Sequence, residues 1–160
     1  MSNTNLLNPN EFIFTLNRLS DVKYYVQAAN VPGLNMGRTS LPTPFKNSNL
    51  PGDKIEYDLL TLEILVDKDM SSWLATYNWM MGLGSPRGFD GYKTISESDD
   101  GLMSDGTLII LGNNKNPSVQ FSFRNLFPVS ISGVNLDTRS SDIEYPTYTV
   151  DFSHSGFTVT

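Results

Sequence analysis

The sequence predicts a mainly β fold: an antiparallel β-sandwich or barrel of two packed sheets with one flanking α-helix. Three observations carry this prediction. Short runs rich in β-branched and aromatic residues alternate apolar with polar side chains, the two-residue period of a half-buried strand. Clusters of Pro, Gly, Asn and Ser separate these runs at intervals suited to turns. Only one stretch, about residues 70–81, has the period of a helix.

The elements follow in order. Residues 1–10 are polar and end at Pro9 and Asn10, so they are expected to form a flexible arm. Phe12, Phe14 and Leu16 alternate with Glu11 and Thr15 in a first strand, and residues 23–29 carry Tyr24, Val26 and Ala28 on one face of a second. Between Asn30 and Asp53 the chain meets Pro32, Pro42, Pro44 and Pro51 together with Gly33, Gly37 and Gly52. Proline cannot donate to a ladder, so this is an excursion from the sheet rather than a central strand. An extended loop or hairpin over 40–55, with an edge strand near 37–41, is the expected form.

Leu60, Leu62, Ile64 and Val66 share one face of the most regular strand. The helix follows, with Asp69 as its expected N-cap and Gly82 and Gly84 as its end. Its apolar stripe is Trp73, Leu74, Tyr77, Met80 and Met81. On that phase Trp79 points the opposite way, toward a nearby loop or another chain. Residues 84–103 read as a polar loop. Four strands then follow over 107–111, 119–124, 129–136 and 148–153, the third needing a bulge at Gly133 to keep its register. About seven strands and a helix fit one packed unit over 1–160, since a chain of this length buries roughly 68–70% of its unfolded surface.

Composition narrows the function. The 160 residues hold no cysteine, which excludes disulfides, thiolate metal sites and a cysteine nucleophile. A net charge of −6, from 17 acidic and 11 basic residues, makes tight binding to nucleic acid or anionic membranes unfavourable. No apolar run approaches the ~20 residues that span a bilayer, so no membrane insertion by this chain is expected. The expectation is a soluble, intracellular protein.

No catalytic set emerges. His154 is the only histidine, in a polar context that suits a structural role better than a base. There is no Gly-x-Ser-x-Gly elbow, and the glycines at 82 and 84 follow a helix instead of preceding one. Glu97, Asp99, Asp100 and Asp105 lack the spacing of a calcium loop. The expectation is therefore no enzyme, no metal and no cofactor.

A specific resemblance begins at Gly52-Asp53 and Tyr57-Asp58 and continues through Leu62-x-Ile64-x-Val66-Asp67 into a Trp-bearing helix. Upstream it includes Phe12-x-Phe14, Ala29 and Pro32. Downstream it includes Leu126-x-Pro128, Leu136-Asp137, Asp142-Ile143-x-Tyr145 and Tyr148-x-Val150-x-Phe152. The pattern resembles the tail tube proteins of contractile-tailed bacteriophages. It implies one tail-tube-like domain over 1–160 that forms a homohexameric ring. Rings stack into a tube inside a contractile sheath, start from a baseplate tube-initiator, enclose a tape measure protein and conduct DNA without binding it tightly. The location implied is the virion, with assembly in the host cytoplasm.

On this reading the chain is the repeating tube subunit, favoured by its compact length. The alternatives are a baseplate tube-initiator or tube-terminal ring, a secretion-system tube component and a carbohydrate-binding β-sandwich. Pro42, Pro44, Phe45, Pro51 and Trp79 are the expected subunit-interface residues. A wall that passes DNA should share its sign of charge, which makes Glu63, Glu97, Asp99 and Asp100 the candidates for the lumen.

Overall fold

A computed structural model describes residues 6–84, 88–99 and 101–160. The strands are β1 (Phe12–Leu16), β2 (Val26–Ala29), β3 (Leu34–Pro42), β4 (Asn47–Tyr57), β5 (Leu60–Leu65), β6 (Ser104–Leu111), β7 (Pro117–Ile131), β8 (Thr147–Ser153) and β9 (Gly156–Val159). Two α-helices, α1 (Ser71–Gly84) and α2 (Asp90–Ser96), lie between β5 and β6, and a 3-10 helix spans Ser20–Tyr24. All pairings are antiparallel, in the order β1-β6-β7-β8-β5-β2, while β3 and β4 pair only with each other. The mainly β architecture is as the alternation requires.

β7 is the strand that joins the two halves. Its first part pairs with β6 from Pro117↔Leu111 to Leu126↔Ser104, and with β9 from Phe121↔Val159 to Arg124↔Gly156. Its last part, from Phe127↔Ser153 to Ile131↔Val150, pairs with β8. Between them Asn125 adopts φ 55°, the left-handed region that Asn tolerates better than most residues. Its N–H donates to the Asp105 carboxylate at 3.1 Å and its side-chain amide to the Ser155 hydroxyl at 3.2 Å. The two strands expected over 119–124 and 129–136 are thus one strand that turns at Asn125 and ends before Gly133. The register shifts between Pro128 and Ser130, which places the missing proline N–H at an irregularity in the ladder.

Alternate residues of the paired strands point inward. Phe14, Leu16, Leu60, Leu62, Ile64, Leu108, Phe123, Leu126, Tyr148, Val150 and Phe152 are buried together. Each contributes on the order of 1.5–3 kcal/mol. The second expected strand is shorter than 23–29, because Ser20–Tyr24 form the 3-10 turn that buries Val22.

Helix α1 corrects three expectations. It runs a turn further than expected, to Gly84, so Gly82 lies inside it. There a Cβ would collide with Ile95 of α2, so glycine permits the two helices to touch. The cap is Asp67 rather than Asp69. The Asp67 carboxylate accepts the Ser71 hydroxyl at 2.5 Å. That bond, together with the first-turn N–H groups of Ser71 and Ser72, holds its pKa below the usual carboxylate value.

The buried face also differs. Ser72, Thr76 and Trp79 face the core at positions i, i+4 and i+7, while Leu74 and Tyr77 are exposed. Two small hydroxyl residues occupy this stripe because the Tyr148 phenol meets them. Burial pushes that phenol up in pKa, and the nearby hydroxyls of Ser72 and Thr76 oppose the rise. A stripe sought through apolar residues alone is therefore out of phase. Trp79 is 2% exposed, lies against Phe152 at 6.2 Å between ring centroids and donates to the Leu102 carbonyl at 3.0 Å. It is a core residue of its own chain and not a contact for another. The expected polar loop over 84–103 contains α2, which lacks an apolar stripe long enough to read from sequence.

Replacement of Trp79 by Ala should lower unfolding free energy by about 3–5 kcal/mol, and Leu74→Ala by less than about 1; urea denaturation distinguishes the two. Asp67→Ala should cost roughly 0.3–1 kcal/mol at neutral pH. Because the folded pKa is depressed, the stabilisation by Asp67 is present above the unfolded carboxylate pKa and fades as pH falls through the folded value. The wild-type and variant denaturation midpoints should therefore converge in acid.

Candidate functional site

The β3-β4 hairpin projects from the barrel. It begins at Gly33 and returns at Asp58, whose N–H donates to the Gly33 carbonyl at 3.0 Å. At its base the Asn35 amide donates to the Asp58 carboxylate at 2.8 Å. Beyond this the pairing runs from Leu34↔Tyr57 to Pro42↔Asn47, with an irregularity between Met36 and Arg38 where β4 carries additional residues. Gly52 lies there against the Gly37 carbonyl, leaving no room for a Cβ. Every residue of β3 is exposed. Leu34, Met36, Leu41, Leu50 and Ile55 are large apolar side chains in the exposed surface of the two strands.

The tip is a closed turn. The Thr43 N–H and hydroxyl both donate to the Lys46 carbonyl, and the Lys46 N–H donates back to the Thr43 hydroxyl at 3.3 Å. Phe45 stands between them, 99% exposed. The structure thus brings Pro42, Pro44 and Phe45 together at one tip, with Pro51 partway down β4 opposite Arg38. Trp79 does not join them.

A cluster of rings pins the base of the hairpin. Tyr57 meets His154 and Phe157 edge-on at 5.5 and 5.6 Å, and His154 meets Phe123 at 5.3 Å. His154 Nε2 lies 3.0 Å from the Asp58 carbonyl, while Nδ1 is buried without a hydrogen-bond partner. Sequence reasoning gave His154 a structural role without finding this one. Its partner Asp58 lies 96 residues away, and neither β9 nor Phe157 has a periodic signal long enough to reveal the cluster.

The acidic candidates fall on different sides of the molecule. Glu63 lies on the outward face of β5, opposite Thr149, and accepts the Thr147 hydroxyl at 3.0 Å. Beside it Thr61 donates to the Asp151 carboxylate at 2.7 Å. No Lys or Arg occurs in β2, β5, β8 or the last five residues of β7, so the charged side chains of these strands are carboxylates. Glu97 lies beyond α2, 3.9 Å from Lys93, with Asp99 after it. Helix α1 covers the side of the sheet that holds Tyr148 and Phe152, and α2 packs on α1. The sheet therefore separates Glu97 from Glu63. Asp100 lies outside the described residues.

Comparison with known proteins gives the site a context. No protein family model matches the chain. Over 117 residues, 69% of the chain, it is 30% identical to the tail tube terminator protein of Enterobacteria phage T4, and the match covers 64% of that relative's length. The chain also shares its fold with proteins of contractile injection systems. One is the tube-terminating cap of the anti-feeding prophage, with a TM-score of 0.70 over 100% of this chain and 94% of that one at 16% identity. Another belongs to the PVC sheath-tube complex, with a TM-score of 0.68 over 98% and 93% at 12% identity.

Because the hairpin contributes nothing to the core, deletion of residues 43–50 should leave the barrel's melting temperature within a few degrees of the parent. Truncation of His154 to Ala should instead loosen the hairpin base, read as faster amide exchange at Gly33–Asn35 and Asp58 with the barrel core protected.

Proposed function

We infer, from its likeness to the phage T4 protein, that the chain is a relative of the tail tube terminator proteins. We propose that it is a tube-terminating ring protein of a contractile tail, a structural and non-enzymatic component of the particle. The observation that carries assembly is the hairpin: over some 24 residues from Leu34 to Tyr57 it extends apolar side chains such as Met36, Leu41 and Phe45 into solvent, uncovered by the described residues. An exposed apolar surface of this kind marks an interaction site in a folded protein. The choice of an end ring over the repeating subunit, which the chain's length favoured, rests on the sequence relative named a terminator. The shared fold by itself is equally compatible with tube, cap and baseplate rings.

In this reading copies of the chain close into a homohexamer on the last ring of the tube, where sheath and tape measure proteins meet the tube end. The outward face with Glu63 and Asp151 is the best candidate for the bore, since its carboxylates repel a DNA backbone and no cation holds it. Glu97 and Asp99, on the far side of the sheet, then face away from the bore.

Native mass spectrometry and electron microscopy of the purified protein should show single six-membered rings that do not elongate. Added to the cognate tube protein, these rings should decorate tube ends and stop growth. Long tubes formed by the chain alone would return the reading to the repeating subunit. Monomers with measurable glycan affinity would replace it with the carbohydrate-binding one. Retention of duplex DNA on the rings at moderate salt would reject the acidic bore.

A further inference from the structure

An apolar groove opens at the end of β5 opposite the hairpin. Its volume is about 630 Å³, and its walls include Tyr25, Leu65, Val66, Met70, Leu136 and Tyr145. Leu136 is 80% exposed at its mouth. The hairpin returns to the barrel at Asp58, just before β5, and the groove begins at Leu65, where β5 stops. One molecule thus carries an uncovered aromatic knob on an arm at one end of a strand and an unfilled apolar hole at the other. With Phe45 99% exposed, the knob does not fill its own hole.

Charge supports the same pairing. Residues 34–52 hold Arg38 and Lys46 and neither Asp nor Glu, in a chain whose net charge is −6. Around the groove and the loop beside it are Asp67, Asp142 and Glu144 against Lys68, while Arg139 is bound by Asp137 at 3.1 Å. A cationic tip therefore faces an acidic rim. The tip is also preorganised by its Thr43–Lys46 bonds, which lowers the ordering cost of docking.

We propose that the hairpin tip of one copy seats Phe45 in the groove of a second copy of this chain, with Lys46 toward the rim that includes Asp67. This deepens the ring reading and rests on it. The contact joins two different surfaces, so it is heterologous: it runs head to tail and forms a ring when the rotation closes. A nine-residue β3 reaches about 30 Å, enough to cross to a neighbouring barrel. Aromatic anchors of this type dominate interface energetics.

The absence of cysteine makes a direct test available. Phe45→Cys and Leu136→Cys alter two exposed side chains, so the double variant should fold as the parent does. Under mild oxidation it should give a ladder of covalent oligomers ending at the ring size, whereas each single variant and the Phe45→Cys/Phe89→Cys control should not. Phe45→Ala should leave the melting temperature of the dissociated chain unchanged and weaken assembly by roughly tenfold or more. A double variant that forms rings but gives no covalent ladder overturns this contact and leaves the ring reading standing. A parent chain that stays monomeric overturns both.

Discussion

The structure depends on β7 passing through both sheets as a single strand. A sandwich whose sheets meet only through side chains can slide; one that shares a strand cannot, because the ladder of each half sets the register of the other. β7 achieves this with one left-handed residue, Asn125, held by Asp105 from the β6 side and by Ser155 from the turn between β8 and β9. The bend lets Phe123 and Leu126, on either side of it, both reach the same core. It also sets β8 and β9 end to end along one edge of β7, so that His154, in the gap between them, falls beneath the hairpin's base. Core packing and hairpin placement follow from the same kink.

Apolar residues consequently have two fates. Those on the inward faces of the paired strands, with Trp79 of α1, are buried almost completely, and they account for the stability of the barrel. Those on β3 and β4 are left in water, at a loss of roughly 0.8 kcal/mol for every CH₂ that remains unburied. A hairpin of two strands is marginal by itself and holds its shape here through the ring cluster at its base. Such an arrangement is stable enough to present a surface and poor enough in self-contact to gain from a partner. The acidic balance of the chain opposes indiscriminate association of that surface, since like-charged copies meet favourably only where the cationic tip approaches an acidic patch.

The sequence made legible what local periodicity encodes. β5 and β8 follow from alternation, β1 and β6 from short strand-forming apolar runs bounded by polar turns, and the Pro-rich excursion follows from residues that cannot enter a central ladder. What it concealed depended on tertiary partners. The phase of α1 was hidden because its buried stripe includes Ser72 and Thr76, whose burial makes sense only once the Tyr148 phenol is placed across from them. The cap moved from Asp69 to Asp67 because Met70 takes φ 52°, which turns the chain before the helix and brings the earlier carboxylate under the first turn. Helix α2 and β9 are too short for a period to show. Of the assembly candidates, the proline-flanked Phe45 was visible from sequence because nothing nearby offered it a core. The groove was not visible: its walls come from residues 25, 65–70 and 134–146, which only the fold brings together.

Knob and hole at opposite ends of one strand also bear on why a ring of this chain would stop where it does. In a head-to-tail contact each copy supplies one tip and one groove. An open chain of copies always leaves one of each unsatisfied at its ends and continues to recruit. Once the ring closes, every Phe45 has a groove and every groove a Phe45, and no further copy can be added through that contact. A repeating tube subunit must keep a second set of contacts in reserve to stack the next ring on both faces. A terminating ring needs such contacts on one face only. The hairpin exposes Leu34, Met36, Leu41, Phe45, Leu50 and Ile55, and its commitment to ring closure would remove a surface able to drive further stacking. Self-limitation would then be a consequence of where one phenylalanine and one groove lie along β5.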